Sequence, residues 1–299
     1  MAEALSIADP RSSARCTACH SPLASVAAAE RGPRVEASEG VSCVSCHDLP
    51  TQWIRSHTRS DWTHSDRVAA GMRDLRDLYG RANACVACHQ NLEPALVAVG
   101  RHPALMFELD GQTRDEPRHW EERPGYQGAQ AWFVGQGVAL REMSWSLLNH
   151  GADPARSLPE LRALGWVLSR SGLGPLGPPP DAADASPAGL SATMQRADQL
   201  ARRAAQAWEP GFGAAAMARL ASTQGDFTDP ATPVLDRACR AERLVMALDR
   251  LLPSESDAGR RQAASACLDR LFRLVQSRGD FSPTQFAREL EGFRTAMGP

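Results

Sequence analysis

Cys16-Thr17-Ala18-Cys19-His20, Cys43-Val44-Ser45-Cys46-His47 and Cys85-Val86-Ala87-Cys88-His89 decide how the first half of this chain is built. Each is a Cys-x-x-Cys-His motif. Its two thiols lie one helical turn apart, where they can form thioethers with the two vinyl groups of one haem, and the adjacent imidazole then reaches the iron. The motifs take six of the eight cysteines and leave only Cys239 and Cys267. A random chain of this composition would hold about 0.006 such motifs. Paired Cys-x-x-Cys motifs can also make a tetrahedral zinc site, and a single one a redox dithiol. Neither reading explains a histidine after every pair. The sequence therefore predicts three covalently bound haem c, attached through Cys16, Cys19, Cys43, Cys46, Cys85 and Cys88, with His20, His47 and His89 on the irons.

Working outward, three irons with one histidine each need three more ligands if all are six-coordinate. Five histidines remain: His57, His102, His119, His64 and His150. All lie before residue 151. A bis-histidine haem is saturated and suits outer-sphere electron transfer, whereas an open sixth position invites substrate. His57 follows the second motif in Trp53-Ile54-Arg55-Ser56-His57, His102 precedes Pro103, and His119 precedes Trp120; these three are the favoured distal ligands. His64 opens a helical stretch and is a weaker candidate, because capping is an equally ordinary role there. His150, before Gly151, reads as a last-turn cation at a C-cap. Met72, Met106 and Met143 are possible axial ligands, but Met72 and Met143 sit on apolar stripes where methionine usually fills core. Among Arg55, Arg59, Arg67, Arg73, Arg76, Arg81 and Arg101, some are expected on haem propionates, since a planar guanidinium grips a carboxylate at two points. Trp53, Trp62, Trp120, Trp132 and Trp145 are expected against porphyrin faces.

Periodicity predicts a mainly α protein: an irregular, haem-packed N-terminal half with few helices, then an α-helical bundle. The expected division is a trihaem domain over 1–152, a helix and Pro/Gly-rich linker over 153–190, and a bundle over 191–299. Val68, Met72, Leu75 and Tyr79 predict a helix over 65–79 that stops at Gly80. Residues 129–149 are apolar nearly all round and predict a deeply buried helix. Ser157 and Glu160 have capping-box spacing. Residues 171–189, with five prolines and four glycines, read as linker. Beyond it, Met194, Ala197, Ala201, Ala204 and Trp208 form one stripe, and Leu235, Ala238, Ala241, Val245, Leu248 and Leu252 another. Thr232-Pro233 fits N-cap then N1, as does Ser282-Pro283, where Gln285 falls at N3 and Phe281 and Phe286 are spaced for a hydrophobic staple. A Cys239–Cys267 disulfide is an open expectation, since the protein should mature in an oxidising compartment.

The formal charge is −2, and all 33 basic residues are arginine. With no net basic field, nucleic acid is not an expected partner. No run of about 18 apolar residues occurs, so no transmembrane helix is expected. Residues 1–15 lack a secretory h-region, yet haem attachment generally happens outside the cytoplasm. A processed, exported chain, periplasmic or extracellular, is the expectation.

The stretch through Arg101-His102-Pro103, Phe107-Glu108-Leu109-Asp110 and His119-Trp120, preceded by the third motif and by Trp53 to His57, resembles a group of bacterial multihaem cytochromes c. These are similar in motif layout to the superfamily of the nitrifier tetrahaem cytochrome and hydroxylamine oxidoreductase. Over residues 10–150 the resemblance implies closely packed haem pairs with distal histidines supplied from between motifs; this chain departs in having three haems. Electron transfer to redox partner proteins is the leading functional expectation, with self-association into a haem wire as a variant. The alternative is an enzyme acting on a small nitrogen or sulfur compound at a five-coordinate haem. A lysine-ligated catalytic haem is excluded by the absence of lysine, and a tyrosine-modified one would have to use Tyr79 or Tyr126.

Overall fold

The computed structural model describes all residues except 33–34, 37, 51, 116–120, 150–152, 173–183 and 299, and the side chains of 112, 114 and 115. His119, Trp120, His150 and most of the expected linker therefore lie outside the described residues. Among the described residues there are helices and turns and no strand, as the mainly α reading requires.

The chain forms two compact units, Met1–Phe107 and Glu108–Pro299. The first holds α1 (Ala14–His20), α2 (Cys43–His47), α3 (His64–Ala69), α4 (Leu78–His89) and α5 (Pro94–Ala98), joined by long irregular segments. The second holds α6 (Leu109–Asp115), α7 (Gly128–Asn149), α8 (Pro154–Arg170), α9 (Pro187–Gln206), α10 (Phe212–Ala221), α11 (Gly225–Thr228), α12 (Val234–Leu251), α13 (Ala258–Leu274) and α14 (Pro283–Met297).

The boundary between the compact units follows residue 107, and within the second unit α7 packs most heavily on α9. Residues 131–140 are buried without a break, as an all-round apolar helix demands. At Gly137 a Cβ would stand 3.2 Å from the Ala197 carbonyl oxygen and 3.0 Å from the Ala201 methyl, so the two backbones approach where side chains are smallest. Gln130 Nε2 donates to the Ala204 carbonyl at 2.9 Å, and Arg141 pairs with Asp198 at 2.7 Å, fixing the register of the pair. Trp132 and Met143 belong to this helical core, not to a porphyrin face or an iron. Trp132 stacks edge-on to Phe133 at 4.6 Å, and the Met143 sulfur accepts from buried Arg243 at 3.8 Å.

Several local expectations meet the structure with instructive differences. The stretch 65–79 is not one helix: α3 ends at Ala69, Gly71 turns the chain at φ 91°, and Asp77 starts α4 afresh by accepting from the amides of Tyr79 and Gly80. Gly80 thus lies inside a helix. α8 begins at Pro154 under an Asp153 cap, so Ser157 is interior. α12 starts one residue later than expected, with Pro233 at N-cap, because the Thr232 hydroxyl is spent on Asp229 in the preceding turn. On its stripe Leu235 is 43% exposed while the other five positions are buried. α14 is as expected, with Ser282 accepting from the Gln285 amide and Phe281 against Phe286 at 5.7 Å.

Cys239 and Cys267 are both buried and unbridged, so the open expectation of a disulfide gives way to two free thiols, that of Cys267 accepting from the Arg270 guanidinium at 3.0 Å. Burial pushes the Cys239 thiol up to about 11. Labelling of the unfolded, unreduced protein should accordingly modify both; protection of the pair would restore the bridge.

Candidate haem-binding site

Each attachment motif ends its helix. His20 closes α1, His47 closes α2 and His89 closes α4, so every imidazole stands on the last turn, directly after its cysteine pair. α4 packs against both α1 and α2, which gathers the three motifs in one region of the first unit. The thiols confirm this closeness: a hydrogen bond with Cys88 pulls the Cys19 thiol down to about 6, with His102 nearby adding to the effect. Cys88 is pushed up by the same hydrogen bond, by burial, and by neighbouring Cys85 and Cys46. Thioether formation removes these titrations. Among the described residues no three histidine, cysteine, aspartate or glutamate side chains converge in a metal-ion geometry.

The backbone around two histidines is held in conformations that non-glycine residues rarely adopt. Asp48, directly after His47, has φ 70° and ψ 173°, a region nearly reserved for glycine and costing on the order of 1–3 kcal/mol. It is retained by a clamp. Arg73 donates its amide to the His47 carbonyl at 3.0 Å and its guanidinium to the Asp48 carboxylate at 2.8 Å. Arg101, directly before His102, is left-handed at φ 57°.

The expected distal histidines separate into distinct situations. His57 Nδ1 lies 2.8 Å from the Ile54 carbonyl oxygen, and His102 Nδ1 lies 2.8 Å from that of Pro103. A carbonyl only accepts, so each Nδ1 is the donor, which leaves Nε2 as the nitrogen through which a neutral imidazole would bind a metal. Arg67 further fixes His57 by donating to its carbonyl at 2.7 Å. His102 sits beside the first motif, its ring centre 6.2 Å from that of His20. Buried Trp53 lies edge-on to both His47, at 6.1 Å, and His57, at 5.3 Å. His64 differs: its Nε2 is 3.2 Å from Asp74 Oδ1, a side-chain pairing at the start of α3 under the Thr63 cap.

The arginines divide similarly. Arg59, Arg67, Arg73 and Arg81 are engaged by Asp61, the His57 carbonyl, Asp48 and the Leu75 carbonyl. Arg55, Arg76 and Arg101 point to solvent. Apolar Val41, Leu49 and Ile54 are also exposed, at 65, 58 and 46%, and they flank the second motif and His57. Such apolar surface beside attachment cysteines fits a porphyrin face. Tyr126, one of two candidate modifying tyrosines, belongs to the helical unit and donates its hydroxyl to Asp110 at 2.7 Å. The Asp48 and Arg101 backbones and the Arg73 clamp were beyond sequence reasoning, because no local pattern marks a left-handed residue that is neither glycine nor asparagine.

Residues 4–90 match the family model for cytochrome c7 and related cytochrome c. The matched segment lies within the first unit and contains all three motifs. This partial match supports a multihaem c-type cytochrome, a family characterised by covalently bound haem c and electron transfer. No curated protein and no solved structure matched the chain.

Proposed function

We propose that this chain is a trihaem c-type cytochrome that passes electrons to redox partner proteins through closely spaced, mostly bis-histidine haems. Cys16/Cys19, Cys43/Cys46 and Cys85/Cys88 hold the haems, His20, His47 and His89 are the proximal ligands, and His57, His102 and His119 are the distal ones. When bound, haem c supplies one-electron redox chemistry at a potential set by its axial ligands and burial. The residues orient and enclose it. Arg55, Arg76 and Arg101 remain for propionates, while His64 is committed to Asp74. The kinship to the nitrifier and hydroxylamine oxidoreductase group rests on Trp53 to His57 and the third motif, within the matched segment, and on residues 101–120 beyond it, and an exported location follows from the attachment chemistry.

The observation that carries this reading is the shared arrangement of His57 and His102, each with Nδ1 2.8 Å from a backbone carbonyl oxygen, which leaves Nε2 as the nitrogen to face an iron. Low-temperature magnetic resonance of the ferric protein should show at least two of three haems low-spin. His57→Ala should convert one haem to high spin or lower its occupancy, whereas His64→Ala should leave the spectrum unchanged. A mainly high-spin native protein that readily binds cyanide would favour an enzyme over a carrier.

A further inference from the structure

The pairing of proximal with distal histidines is invisible in the motif spacing, yet one pair stands in the geometry. A metal–imidazole bond is about 2 Å long. Adding roughly 1 Å from the bonding nitrogen to the ring centre on each side, two imidazoles on opposite faces of one iron have centres about 6 Å apart. His20 and His102 are 6.2 Å apart with their planes inclined by 46°, neither parallel as in a stack nor perpendicular as in an edge contact.

The segment that delivers His102 is built to do so. α5 ends with the amides of Val99 and Gly100 both donating to the Ala95 carbonyl, at 3.0 and 2.9 Å. Left-handed Arg101 then reverses the chain, and the His102 amide closes the turn on the Leu96 carbonyl at 2.8 Å. Gly100 is required by contact: a Cβ there would stand 2.6 Å from Leu5 Cδ1 and 2.7 Å from the Leu96 carbonyl oxygen. α1 is braced from the other side, where Arg15 grips Glu93, the residue before α5, at 2.6 and 2.7 Å. The ion pair and the turn together set the separation of the two rings.

We infer that His20 and His102 ligate the same iron, so that the haem attached at Cys16 and Cys19 receives its distal ligand from a turn after the third motif, about 80 residues along the chain and outside the segment 4–90. The inference rests on the haem reading above. Its consequence is topological: the first and last parts of the haem unit are closed on one another through a metal.

The test counts altered irons in the full-length holoprotein. His20→Ala and His102→Ala should each change one of three ferric signals from low to high spin, and the double variant should still change only one. Two altered irons in the double variant, or no change in His102→Ala, would overturn the pairing. His102→Met supplies a variant that keeps a ligand: one haem should rise in potential, and that rise should vanish when His20→Ala is added. Persistence of the rise beside a separate high-spin iron would again overturn it. Failure of the haem reading itself shows elsewhere, as a purified protein whose mass equals the bare chain.

Discussion

Replacing Cys43 and Cys46 together by alanine should remove one of three haem masses, roughly 600 Da, from the denatured protein, since thioethers survive unfolding. The structural effect should be larger than the mass suggests. α2 has five residues and none of them is buried, and its surroundings expose Val41, Leu49 and Ile54. Few side-chain contacts hold this part of the first unit, so its order depends on the group the cysteines carry. Limited proteolysis should therefore open residues 1–107 of the variant while α7–α14, with their own continuous core, stay protected. Three haem masses remaining would refute the attachment assignment, and unchanged protection of residues 1–107 would refute the structural role.

The second large effect belongs to the helical unit. Glu108 caps α6 by accepting from the amides of Asp110 and Gly111, at 3.1 and 2.6 Å, and pairs with Arg250 of α12 at 2.9 Å. Burial pushes its carboxyl above the usual carboxylate range, more than Arg250 and the two amides pull it back. Arg250→Ala leaves that carboxylate buried without its counter-ion and should cost about 3–5 kcal/mol at neutral pH. Glu108→Gln, which keeps an acceptor for the cap, should cost less, about 1–3 kcal/mol. The sign with pH follows from linkage. A carboxyl whose folded pKa is raised binds its proton more tightly in the folded state, so its contribution is present at low pH and lost as pH rises through the folded value. The Arg250→Ala penalty should thus shrink in mildly acid solution. Urea unfolding followed by circular dichroism at two pH values checks this, and a penalty that grew with acid would reverse the assignment.

What was legible in the sequence was what is local. The three motifs, the all-apolar α7 and the Ser282 cap of α14 depend on neighbours within a few residues, and they stand where the pattern puts them. The stretch 65–79 misled because Val68, Met72, Leu75 and Tyr79 have helical spacing while Gly71 and Asp77 break the backbone between them. Trp132 was drawn toward the haems by proximity in sequence, but α7 packs on α9 and claims it for the helical unit, where Met143 fills core as its apolar stripe indicates. The approach of the His102 ring to that of His20 depends on a reversal at Arg101 that no composition or period encodes.

The brevity of the motif helices has a consequence for how the molecule comes into being. α1 has seven residues and α2 five, far below the dozen or so that an isolated helix needs to outlast the cost of its first turn. A haem bridging thiols three positions apart would fix that turn covalently, so that bond formation and not folding would meet the entropy of nucleation. At α1 and α2 attachment would then come before tertiary structure, each bridge writing one helical turn into the chain.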